Sequence, residues 1–101
     1  MHPGSACCDL TQDLAGWIER QRARFAIEHR WARVLSKRGQ RLRREAIKAQ
    51  VRGNAGRSNA LDDEAMVCSS RAMVIYQSVL MNEGHVDRVE AGHQWRLGGA
   101  R

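Results

Sequence analysis

The sequence predicts a small, mainly helical protein closed by a C-terminal β-hairpin, an α+β arrangement. Three observations predict it. Apolar residues from Leu10 to Ala49 recur mainly at steps of three, four or seven, a second helical period runs from Met66 to Met81, and beyond Gly84 the pattern changes to alternation. At 101 residues the chain is sized for one domain with a single modest core.

Residues 1–8 contain Pro3, Gly4 and Ser5 without periodicity and read as a flexible end, with a helix starting at about Asp9 or Thr11. That helix, residues 9–52, is long or broken. Gly39 follows Ser36-Lys37-Arg38 and either ends a first helix with a left-handed cap or weakens a continuous one. Residues 53–59 hold two Gly, two Asn and a Ser, and predict a loop. Ser58 or Asn59 then caps a second helix over 60–83, with Asp62, Asp63 and Glu64 in its first turn and Gly84 as its stop. The last segment alternates at Val89, Ala91, His93, Trp95 and Leu97. A turn at Glu90-Ala91-Gly92-His93 sets Arg88 opposite Trp95, Asp87 opposite Arg96 and Val86 opposite Leu97.

Charge is concentrated rather than spread. From Arg20 to Arg57 there are thirteen basic residues and two acidic ones, +11 within a chain whose total is +6. Fifteen of the 17 cations are Arg, whose planar fork grips phosphate or carboxylate with two bonds. A polyanion or an acidic protein surface is the expected partner. Within this segment Arg38, Arg41, Arg43, Arg44 and Lys48 form the expected backbone grip.

A helix carrying Met73 and Leu80, then Asn82-Glu83-Gly84-His85-Val86-Asp87-Arg88-Val89, a Gly92 turn and Gln94-Trp95-Arg96-Leu97, resembles the end of a winged helix DNA-binding domain. About thirty residues carry the resemblance. It implies a recognition helix with Ser69, Ser70, Arg71 and Gln77 facing the groove, and a wing on which Arg88 or His93 touches phosphate or the minor groove. The acidic start Asp62-Asp63-Glu64 departs from what an anionic groove favours.

Other chemistry is not expected. Cys7-Cys8, Cys68 and the scattered histidines have no metal-ligand spacing, and no cofactor motif or catalytic set is present. Arg24 and His29 have the R-x4-H spacing of a helical ribonuclease family, which an Arg-rich helix meets by chance, so no enzyme is expected. No apolar run approaches the roughly 20 residues of a membrane span, and residues 1–10 lack the features of a secretory signal, predicting a soluble cytoplasmic protein with free thiols. The length of the first helix predicts a homodimer paired through Leu14, Ile18, Phe25, Leu35 and Leu42. The expected function is a small DNA-binding regulator or accessory protein; the alternative is an adaptor or inhibitor that docks its Arg-rich face on an acidic protein.

Overall fold

A computed structural model describes the backbone of residues 3–98 and the side chains of residues 13–96 and 98. It contains two helices, α1 (Pro3–Val51) and α2 (Ala55–Gly98). No strand occurs among the described residues, so the C-terminal β-hairpin and the α+β class are not formed and the winged helix resemblance is overturned. The chain divides into two compact units, Glu28–Val79 and Met1–Ile27 with Leu80–Arg101.

The Glu28–Val79 unit is a helical hairpin closed by three residues. Gly53 takes the left-handed conformation, with φ of 80°. Its N–H donates to the Gln50 carbonyl at 3.0 Å, and the Asn54 N–H donates to the Ala49 carbonyl at 2.9 Å. These two bonds satisfy carbonyls that a helix end otherwise leaves bare. Asn54 then caps α2, its Oδ1 accepting from the Arg57 N–H at 3.1 Å. One asparagine therefore ends one helix and starts the next. The expected 53–59 loop shrinks to residues 52–54, the cap is Asn54 rather than Ser58 or Asn59, and Asp62, Asp63 and Glu64 lie beyond the first turn.

The seam between the two helices repeats every seven residues. With positions written abcdefg, a falls at Ala32, Gly39 and Ala46 in α1 and at Ser58, Ala65, Ala72 and Val79 in α2, all buried. Ala49 and Cys68 add buried d positions. These side chains are small, so the backbones approach closely and dispersion contacts replace the bulk of a leucine seam. Gly39 marks the tightest approach. A Cβ built there would stand 2.9 Å from Ser69 Oγ, 3.3 Å from the Ala65 carbonyl oxygen and 3.6 Å from Cys68 Cβ. Gly39 therefore does not break α1; a Cβ there would press on the Ser69 hydroxyl and crowd the Ala65 carbonyl. Burying Ser58 costs nothing in lost bonds, because no buried side-chain nitrogen or oxygen among the described residues lacks a partner. Across the seam, Arg38 reaches Glu64 at 3.0 Å and the rings of His29 and Tyr76 meet at 6.0 Å.

The other unit keeps the seven-residue repeat with larger side chains, burying Ile18 and Phe25 on α1 and Val86 on α2. Trp17 meets His85 edge-on at 6.5 Å. Arg22 bonds both Asp87 at 3.1 Å and Glu90 at 2.7 Å, a pairing that needs the two carboxylates one helical turn apart. The bonds to Asp87 and then Glu90 raise the Arg22 guanidinium above its ordinary value. On the arginine's side of the pair, the stabilisation is present below arginine's ordinary range and is lost as pH rises through the raised value.

That arrangement explains why the alternation beyond Gly84 does not make strands. Val86, Val89 and His93 are also spaced three and four apart, and Val86 is buried with Val89 and His93 half-buried, so one helical face takes them all. Asp87 pairs with Arg22 instead of Arg96, and Trp95 is exposed instead of stacked on Arg88. The helix runs through Gly84 and Gly92, each costing about 1 kcal/mol relative to Ala, and the sequence-predicted stop is passed. The start also moves: α1 begins at Pro3, ahead of Asp9 and Thr11. Among the residues expected to pair two copies, Ile18 and Phe25 are buried within their own chain, and Leu14, Leu35 and Leu42 are half-buried.

Candidate anion-binding face

In the Glu28–Val79 unit, the side of α1 turned away from the seam comprises positions b, c and f. The f positions are Arg30, Lys37 and Arg44; Arg33 stands at b, and Arg41 and Lys48 at c. Successive steps are three, four, four, three and four residues, which keeps all six on one helix face. All six are exposed. At 1.5 Å per residue the row extends about 27 Å. Glu28 and Glu45, the acidic residues of this α1 segment, occupy d and g and lie off the face.

The row is only lightly neutralised. Lys48 reaches Glu45 at 3.4 Å, an exposed i, i+3 contact of small energetic worth, whereas Arg30, Arg33, Lys37, Arg41 and Arg44 have no ion-pair partner among the described residues. Lys37, Arg38, Arg41 and Arg44 line an open groove of 530 Å³ with Val34. A groove walled by cations favours an extended anion, and among the described residues Arg38 alone of its four cations is held by an internal carboxylate, Glu64.

Of the nine residues selected from sequence, Arg41, Arg44 and Lys48 share this face. Arg38 sits on its g edge and is held by Glu64. Arg43 occupies e, on the opposite flank of the seam. Arg71 lies on α2 beside a separate groove of 320 Å³ formed with Leu35, Ser70, Val74 and Ile75. Gln77 is on the outer face of α2, and Ser69 packs toward Gly39. Arg88 and His93 belong to the other unit, where they are helical residues and not a wing. The set chosen from the sequence is therefore split. Arg30, Arg33 and Lys37 were missing from it, although their three-and-four spacing with Arg41 and Arg44 is visible in the sequence.

No protein-family model, curated protein or solved structure matches this chain. The face must be read from its own chemistry. No group of three His, Cys, Asp or Glu able to hold a metal exists among the described residues, and Cys7 and Cys8 lie outside the described side chains. Cys68 is a free thiol buried in the seam. No described helix is long and apolar enough to cross a membrane.

Proposed function

We propose that this chain binds the phosphate backbone of nucleic acid, duplex DNA in the first instance, through the outer face of α1 between Arg30 and Lys48. One observation carries the reading: six exposed cations in an unbroken three-and-four row, on a face with no acidic residue. A linear array of this kind suits a linear polyanion, which presents one charge per roughly 1.7 Å of duplex axis. The four arginines add two-bond geometry for phosphate oxygens. Val34 and Ile47 are large apolar side chains on the same face, and Trp31, exposed by 59%, stands on its g edge beside Arg30. The six cations of the face favour contact with the phosphate backbone, which carries no sequence information, as an accessory protein would use it. Such a partner is consistent with the cytoplasmic location expected from the sequence.

Salt tests this directly. Titrating the full chain into labelled duplex DNA, with anisotropy as readout, is expected to give a log–log slope near −5 if all six cations neutralise phosphates. Affinity then falls roughly a thousandfold between low and physiological salt. A flat response rejects the reading. An acidic protein that copurifies after nuclease treatment, with no binding to DNA, transfers the same face to a protein partner.

A further inference from the structure

We infer that two copies of this chain pair through the outer face of α2 in the Glu28–Val79 unit. On that face the b and c positions of two successive heptads are Met66, Val67, Met73 and Val74, exposed by 62%, 50%, 60% and 64%. Between and beside them the f positions are Ser70 and Gln77, and the single charge from Met66 to Gln77 is Arg71 at g. A helix whose outward face is apolar and uncharged is built to be covered. Four such side chains amount to a patch on the order of 400 Å², as large as the largest on ordinary monomers. They supply about half of the roughly 800 Å² that a stable interface takes from each partner, with Ser70, Gln77 and the Leu35 and Ile75 walls of the groove beside Val74 available for the rest. The next b and c positions in sequence, Leu80 and Met81, are exposed large apolar residues of the other unit.

Charge selects the occupant. Within this unit the six-cation face of α1 would repel its own copy, whereas on α2 the b, c and f positions from Met66 to Gln77 are uncharged, with Asp63 one turn before them and Arg71 at the edge. A patch that pairs with itself about a two-fold axis needs that self-compatibility. A lipid surface is a poorer fit, because interfacial helices set their cations beside the apolar face that enters the bilayer, and here Arg71 is the one cation from Met66 to Gln77 while the six-cation row lies on α1. Pairing through α2 leaves both cationic faces free and does not depend on what they bind.

Sedimentation velocity on the full chain at tens of micromolar is expected to show twice the 11.4 kDa chain mass. The double variant Met66→Glu/Met73→Glu, altered only at exposed positions, is expected to weaken association at least tenfold while helical circular dichroism is unchanged. Raising the salt leaves the wild-type dimer intact, in contrast to any phosphate binding. A wild-type monomer overturns the inference, as does a variant that still dimerises with wild-type affinity. A monomer that co-floats with vesicles of mixed phosphatidylserine and phosphatidylcholine also overturns it, by making lipid the occupant.

Discussion

Three glycines separate what a residue's identity shows from what its surroundings decide. Gly53 is fixed by backbone conformation, since its φ of 80° is costly for any residue with a Cβ. Gly53→Ala is expected to lower stability by about 1–2 kcal/mol, measured as a shift in the urea midpoint at constant slope. Gly39 is fixed by proximity to Ala65, Cys68 and Ser69. Gly39→Leu forces bulk against a neighbouring backbone and is expected to cost about 1–3 kcal/mol by the same measurement. Gly92 is fixed by neither, being helical with open space around its Cβ position. Gly92→Ala should therefore stabilise the protein by roughly 0.5–1 kcal/mol, whereas destabilisation there would support a turn. From sequence these glycines look alike. Only Gly53, in a run with Asn54 and Gly56, was legible as a turn, because the space around Gly39 and Gly92 depends on residues far along the chain.

Among the elements, the helices were legible where apolar period and length agreed. The period from Leu10 to Ala49 gave the body of α1, and that from Met66 to Met81 gave the middle of α2. Their limits were not legible. Val86, Val89 and His93 fit a helical face while Val89, Ala91, His93 and Trp95 fit alternation, and nothing local chooses between them. The choice comes from across the seam, where Val86 is buried and Arg22, some sixty-five residues away, bonds Asp87 and Glu90 from the same side. Arg22→Met is expected to loosen the C-terminal part of α2 first, read as faster amide exchange after Gly84 than before it. The seam misled for a related reason. Its a positions in the Glu28–Val79 unit are Ala, Gly, Ser and a single Val, small residues that hydropathy does not mark as core. The larger Met66, Val67, Met73 and Val74 lie outside it.

For the molecule as a whole, the concentration of charge is readable in the sequence, whereas the α+β fold expected around it is not formed. The +11 segment from Arg20 to Arg57 was visible at once. Its division into an outer row, a neutralised edge at Arg38 and an off-face Arg43 required the heptad frame. The most direct test of the row compares salt slopes for duplex DNA binding between two sets of variants. Arg33→Gln/Arg41→Gln/Arg44→Gln removes three cations from the face, and Arg43→Gln/Arg71→Gln removes two from elsewhere in the same unit. The predicted result is a slope shallower by about 3 for the first set and nearly unchanged for the second. Equal slope changes per charge removed would show that net charge acts without the face, and would contradict the account.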